Sequence, residues 1–441
     1  MTQRLMKLGA FIPAPGHHVA AWRHPDAVPH GSLDFNYYLD IVKIAENALF
    51  DMIFLSDGVG IRTNYRDEDE LSRWGRVVQF EPLTLLSALA VHTNHIGLTA
   101  TASTTYNEPF HIARKFASLD FLSNGRAGWN VVTSVTDLEA WNFNLDHQPD
   151  HPTRYRRAHE FMEVARQLWD SFDDGAFIAD KVAGRMFDPE KLRIPKFRGE
   201  FFKIRGPLNV ARPPQGYPVI VQAGSSDDGQ SFAARWAEVI FTAQQRLDQA
   251  KAFRDGIRHR LTDAGRDPDG AVVMPGVFVV VGQNQSEADD RYGALQDLID
   301  PAVGLGLLSG LLGDVDAADF PLDEPLPPLP ETQGSKSRQA LMYEEARRGN
   351  LTVRQLYMSV AGGRGHWSLI GSASMIADQL QEWFESGGAD GFNIMPAVLP
   401  NSLCDFAKLV VPELQKRGLF RLAYSGPTLR DHLGLTRPVR H

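Results

Sequence analysis

Short apolar runs alternate with amphipathic helical patterns along almost the whole chain, and that alternation predicts a parallel sheet covered by helices. Residues 5–12, 51–56, 96–103, 127–133, 219–223, 239–242, 272–281 and 391–395 read as strands. Helical patterns fall at 34–49, 82–92, 110–122, 155–169, 230–236, 249–264, 376–386 and 402–417. The run at 219–223 is continuously apolar, as a strand buried on both faces should be. Eight strands with intervening helices predict an α/β fold, the (β/α)₈ TIM barrel. An open doubly wound sheet is the other architecture that this order allows, because closure is not written in the pattern. At 441 residues a barrel with insertions keeps one core, so 1–441 is expected to be a single domain. Two stretches break the rhythm and read as insertions, about 172–217 and 300–350. The first is rich in Gly, Pro and charge, with residues 201–204 as short strands. The second carries Pro321, Pro325, Pro327, Pro328 and Pro330, too many for regular structure. Loops of this length serve as lids, binding loops or oligomer arms.

Composition excludes several function classes. A net charge of −9 without a long single-sign run argues against a nucleic-acid or anionic-membrane partner. The one cysteine, Cys404, rules out an intramolecular disulfide and a cysteine-cluster metal site, and its apolar neighbours suggest a buried, inert thiol. No apolar run reaches the ~20 residues of a membrane span. Lys7 and Pro13 interrupt the first apolar stretch too early for a signal peptide, so a cytoplasmic location is expected. No GxGxxG follows a strand and there is no Walker motif. His147 and His151 are separated by Pro149, which spoils the helical spacing of a zinc pair, and no metal is expected.

Barrel enzymes carry their chemistry at the C-terminal ends of strands. Here those ends hold Asp57, Ser103, Thr104, Asn130, Thr133, Ser134, Gln222, Ser225, Ser226 and Gln244. Such neutral donors and acceptors suit a polar ring system that brings its own reactivity. The carboxylate pair that a glycosidase needs is absent from these ends. Gly224, Ser225 and Ser226 open a helix after a buried strand, where exposed N–H groups and two hydroxyls form a phosphate site; the alternative is a simple N-cap. Asp57 before Gly58 is equally a turn-former. His17 and His18 lie in a Gly- and Pro-flanked loop, and Gly362–Gly363–Arg364–Gly365–His366 reads as a cationic loop, either a gate or a glycine-rich turn. Arg62, Arg66, Arg73 and Arg76 are either a recognition patch for a carboxylated or sulfonated substrate or a solvated face.

Six segments go further: LSNGRAGWNVVTS (122–134), RYRRAHEFME (154–163), FFKIRGPLNVAR (201–212), PVIVQAGSS (218–226), ADGFNI (389–394) and LVVPELQKRGLF (409–420). In this order they resemble the bacterial luciferase-like flavin-dependent monooxygenases, in the branch of the nitrilotriacetate, EDTA, dibenzothiophene sulfone and long-chain alkane monooxygenases. The resemblance implies a barrel that holds FMN at its C-terminal mouth. Reduced FMN and O₂ would be co-substrates, forming a C4a-(hydro)peroxyflavin that oxidises a small organic molecule. A separate NAD(P)H:flavin reductase would supply the reduced flavin, and the chain would form a homodimer or homotetramer. Matched to the family pattern, Asp57, Ser103, Asn130, Ser134, His151, Tyr155, Ser225 and Ser226 are implied to hold the cofactor. His17, His366 and Asn130 are the candidates for catalysis, the histidines as proton handlers. Trp22, Trp129, Phe11 and Phe54 are expected to supply dry walls. Gly371–Ser372–Ala373–Ser374 departs from the family's Gly-Thr-Pro-Glu, and Trp367–Ser368 after His366 departs as well, so the pocket's shape is not transferable. A deazaflavin-dependent oxidoreductase and a non-catalytic flavin-binding protein are the competing readings.

Overall fold

Eight parallel strands close into a ring in the computed structural model, which describes residues 4–28, 30–61, 65–313, 315–331 and 336–440. In chain order the strands are β1 (Lys7–Phe11), β2 (Met52–Leu55), β3 (Gly97–Ser103), β4 (Ala127–Val132), β5 (Phe197–Arg198) and β6 (Lys203–Ile204). They continue with β7 (Val219–Gln222), β8 (Val239–Thr242), β9 (Val272–Gly282), β10 (Trp367–Ser372) and β11 (Gly391–Pro396). The ring runs β1-β2-β3-β4-β7-β8-β9-β11, and β11 pairs back onto β1 with Lys7 opposite Gly391. That closure selects the TIM barrel over the open sheet. The ring strands are the eight expected from the apolar pattern.

A ninth parallel strand, β10, was not legible. It pairs with the second half of the long β9, from Trp367 opposite Val277 to Ser372 opposite Gly282, whereas the first half of β9 pairs with β8. Only one face of β10 is well covered, so its residues alternate with Ser368 and Ser372 and never form an apolar run. In the first insertion, β5 and β6 form a small antiparallel ribbon. The second insertion corrects the expectation of irregular structure. Residues 316–331 hold no helix or strand, as their prolines require, but the helices Pro301–Leu311 and Lys336–Gly349 flank them. These helices build a separate apolar cluster in which Val303, Leu308, Leu312 and Met342 pack with Val19, Tyr357 and Val360. The insertion therefore stands on its own core against the barrel's loops.

Strand alternation sorts side chains between the barrel interior and the helical layer. On β4, Trp129 faces outward against Phe116, Phe161 and Trp169, and the next residue, Asn130, hydrogen-bonds Thr101 of β3. Inside, Met52, Phe54, Val221, Val239 and Met274 pack with Leu429 and Leu433 of the C-terminal helix Leu429–Leu433. A Cβ on Gly97, where β3 begins, would meet a Leu429 methyl, so this helix plugs the N-terminal end of the barrel. Cys404 is half-buried, not buried as expected.

Two fully enclosed histidines, His18 and His432, have pKa values lowered to about 4, chiefly by burial. Because the folded value lies below the unfolded ~6.5, their neutral forms add stability at higher pH. That stability is lost as pH falls from about 6.5 towards about 4. Calorimetry is expected to show the melting temperature falling through this window, with a shallower fall in His432→Phe.

Candidate active site at the barrel mouth

The C-terminal ends of the strands open into a cavity of about 1090 Å³. From the barrel come Phe11, Phe241 and Met395; Ser56, Asp57 and residues 58–61 come from the loop after β2; Val135, Thr136, Leu138 and Asn142 follow β4. The second insertion supplies the far wall through Gly306, Leu307, Gly310, Leu311 and Arg338. This volume exceeds the ~300–1,000 Å³ of an ordinary small-molecule site and leaves room for a ring cofactor and a substrate together. Phe11 packs edge-on to Phe54, Phe241 and His17, giving the floor its apolar character. Phe11 thus lines the cavity, and Phe54 supports it from within the barrel. The expectation fails for Trp129, which is in the helical layer, and for Trp22, which is 44% exposed and outside the cavity wall; Trp74 lines it instead.

The candidate site residues fall into three groups. Asp57, His17 and His366 line the cavity. Asp57 accepts from Gln79 Nε2 at 2.9 Å. His17 donates from Nε2 to the Phe11 carbonyl at 3.0 Å, and His366 stacks on Phe241. Arg338 Nη2 lies 3.0 Å from His366 Nε2, and since a guanidinium can only donate, the ring's proton belongs on Nδ1. Both histidines are held well below their usual pKa, first by burial, then by Arg76 and Arg364 at His17 and by Arg338 at His366. They are neutral at physiological pH, and His366 Nε2 is already occupied.

The second group sits where β3 and β4 end. Ser103 Oγ and Ser134 Oγ are 2.9 Å apart, and Ser134 Oγ donates to Glu139 at 3.1 Å. Ser134 adopts a left-handed φ of 57° to make this turn. Glu139, 2% exposed, was missed: it also accepts from Val135 N and Val59 N, tying the loop after β4 to the loop after β2. The Thr136-x-x-Glu139 spacing of a capping box was its only signal in the sequence. Asn130 leaves its buried Oδ1 unpaired, and Gln222 at the end of β7 leaves its Oε1 unpaired.

The third group joins two helix N-termini. The His151 and Tyr155 rings lie 4.8 Å apart, tilted by 46°, on the first turns of the helix His151–Trp169. His151 Nδ1 is 3.0 Å from Asp228, and Ser226 caps the helix Asp227–Trp236 by accepting from Gly229 N at 3.1 Å. Asp227 turns away to Arg260, so neither acid of this helix stands free beside the loop. A Cβ on Gly224 would meet Gln222 Nε2 at 2.3 Å, the Gly229 Cα at 3.0 Å and Tyr155 Oη at 3.2 Å. The glycine thus keeps open a cradle bounded by a hydroxyl, an amide and a helix N-terminus, which fits a phosphate. The unpaired amide oxygen of Asn130 fits an N–H group of a flavin ring, whereas Gln222, in register with Val131, points to the other face of the sheet, beside Gly224.

Of the loop arginines, Arg66 pairs with Asp316 and Asp319 and Arg73 with Asp69 and Asp300, fastening this loop to the second insertion. Arg62 lies outside the described residues. Arg76 lines the cavity with Arg364 and Arg338. Arg338 had no signal in the sequence, being an ordinary charged residue in an insertion.

A closed barrel with neutral polar groups at its mouth and a phosphate cradle after a short strand defines a flavin-type barrel oxidoreductase. The family model for luciferase-like monooxygenases matches residues 14–391, and the chain belongs to that family. It is 50% identical over 439 residues to N-acetyl-S-(2-succino)cysteine monooxygenase of Bacillus subtilis (strain 168), covering 99% of this chain and 98% of that one. Nitrilotriacetate monooxygenase component A of Aminobacter aminovorans is likewise 50% identical over 439 residues, covering 98% of this chain and 97% of that one. The crystal structure of a riboflavin lyase with modified FMN and riboflavin superposes with a TM-score of 0.88 at 30% identity, over 98% of this chain and 96% of that one. The expectations of barrel, family and flavin-dependent monooxygenase activity hold.

Proposed function

We propose that this chain is the oxygenase component of a two-component system in which reduced FMN arrives from a separate NAD(P)H:flavin reductase and O₂ oxidises a small organic molecule. The observation that carries this reading is the Gly224 cradle beyond the end of β7, at the same end of the barrel as a cavity roomy enough for two ligands. Ser225, Ser226, Tyr155 and His151 would hold the phosphate end, and Asn130, Ser103, Ser134 and Asp57 the ring end. Bound reduced FMN supplies the activation of O₂. The chain's own residues orient it and keep water out: Phe11 and Phe241 form an apolar floor, and the second insertion covers the mouth. His366, neutral and enclosed, offers Nδ1–H as a donor that is not a strong acid, whereas His17, whose Nε2 proton goes to the Phe11 carbonyl, offers Nδ1 as an acceptor. Among the described residues no helix is long and apolar enough to cross a membrane, and we take the protein to be cytoplasmic and a homodimer or homotetramer.

The purified protein alone is expected to consume no NADH. With a flavin reductase, FMN and ¹⁸O₂ it is expected to place one ¹⁸O atom in the product, read by mass spectrometry. The compounds in the names of the two relatives at 50% identity are the first to assay. Sustained NADH oxidation without reductase, or product free of label, counts against the proposal.

A further inference from the structure

Three guanidinium groups from three separate elements line the cavity. Arg76 comes from the loop after β2, Arg338 from the insertion helix Lys336–Gly349, and Arg364 from the end of the helix Val353–Gly363. Among the described residues no carboxylate lies within 4.0 Å of any of them, whereas the buried Arg212, Arg421 and Arg430 each pair with an acid. Their bonds are to neutral acceptors: Arg76 to the Gly16 carbonyl, and Arg338 to the Arg364 carbonyl at 2.6 Å and to His366. Arg364 Nε is buried without a partner. Among the described residues the two acids in the cavity wall are engaged elsewhere, Asp57 with Gln79 and Glu81 as the cap of the helix Pro82–Ala90.

Such an arrangement is costly. Like charges repel in a partly enclosed space, and an uncompensated buried cation lacks both water and a counter-ion. Arg364 adds backbone strain, because it holds a left-handed φ of 52° between Gly363 and Gly365, where a third glycine would sit freely. Burial lowers all three, Arg338 and Arg364 to about 10, and a delocalised guanidinium keeps its proton at neutral pH. A cluster that raises the energy of the empty protein is explained by a ligand that neutralises it.

From this geometry we propose, resting on the oxygenase reading, that the substrate is a small polycarboxylate whose carboxylates pair with Arg76, Arg338 and Arg364. The guanidinium fork matches a carboxylate in bidentate fashion. Three forks on different elements call for several anionic groups spread over one skeleton, not a single compact anion. The phosphate cradle at Gly224 is built from other residues, so the arginines are not needed for the cofactor.

Binding tests this without turnover. Tricarballylate, butyrate and trimethyl tricarballylate are titrated by calorimetry into the full-length protein saturated with oxidised FMN. Tricarballylate is expected to bind at least about tenfold tighter than butyrate, and the ester not detectably. Arg338→Gln and Arg364→Gln should each weaken tricarballylate about tenfold with FMN affinity unchanged, and Arg338→Lys should keep part of the binding. Equal binding of triacid and ester, or undiminished binding in both glutamine variants, overturns the proposal. Loss of FMN affinity in step with tricarballylate also overturns it, by assigning the arginines to the cofactor. Because no oxygen chemistry is read, failure here is separate from failure of the ¹⁸O experiment.

Discussion

Gly224→Val is expected to weaken FMN binding by about thirtyfold, or ~2 kcal/mol, while the barrel stays folded. The position allows no side chain without displacement, since a Cβ would stand 3.0 Å from the Gly229 Cα and 2.3 Å from Gln222 Nε2. The Gln222 amide can swing aside, but doing so removes an amide from the wall of the cradle. The Gly229 backbone lies in the first turn of the helix Asp227–Trp236, so relief there means moving the N-terminus that Ser226 caps. Either response misplaces donors that the cofactor needs, and overpacking of this kind costs ~1–3 kcal/mol. The strand below, β7, is buried along its length and paired on both sides, which confines the damage to the loop. Titration by quenching of flavin fluorescence measures the effect, with circular dichroism to confirm the fold. Ser226→Ala should lose less, because one cap hydroxyl is worth ~1 kcal/mol. Wild-type affinity in a folded Gly224→Val protein would remove the phosphate end of the site from this loop.

The ring strands were legible because burial on both faces writes itself as a mainly apolar run, as in β2, β7 and β8, even where buried polar residues such as Thr99, Thr101, Asn130 and Asn393 interrupt it. The same physics hid β10, whose partly open face admits serines, and the helices of the second insertion, whose prolines are confined to the stretch between them. At the mouth, residues that depend on one short motif were visible: Ser226 sits at a helix start, and His151 and Tyr155 share one helical face. Groups assembled from distant segments were not. Arg76 was visible only as one of four loop arginines, of which two bind surface acids. That Arg76 turns inward to meet Arg364 and Arg338 depends on how an insertion folds over the mouth, and no local spacing encodes it. Glu139 was overlooked for the same reason, since its partners include Val59, far away in sequence.

At the opposite end of the barrel, Arg430→Ala is expected to lower the unfolding free energy by about 3–5 kcal/mol, the cost of leaving a buried charge without its partner. Arg430, 2% exposed, spans Glu238 with Nη1 at 2.5 Å and Nη2 at 2.9 Å, and also donates to the carbonyls of Gln215 and Tyr217 at 3.1 Å each. Glu238 immediately precedes β8 and accepts from Ile220 N of β7 at 3.1 Å, so one carboxylate joins two ring strands to the C-terminal helix. Removing the guanidinium would strand Glu238 in that setting and release Leu429 and Leu433 from the barrel floor. Urea denaturation followed by tryptophan fluorescence reads the change. Glu238→Gln added to Arg430→Ala should restore part of the loss, because the stranded charge is then gone. FMN affinity at temperatures where the variant is folded should be unchanged, since this ion pair is at the stability face of the barrel and the cradle at the other. A loss under ~1 kcal/mol would mean that water reaches Glu238 once the arginine is removed, and the plug would then be held by its leucines alone.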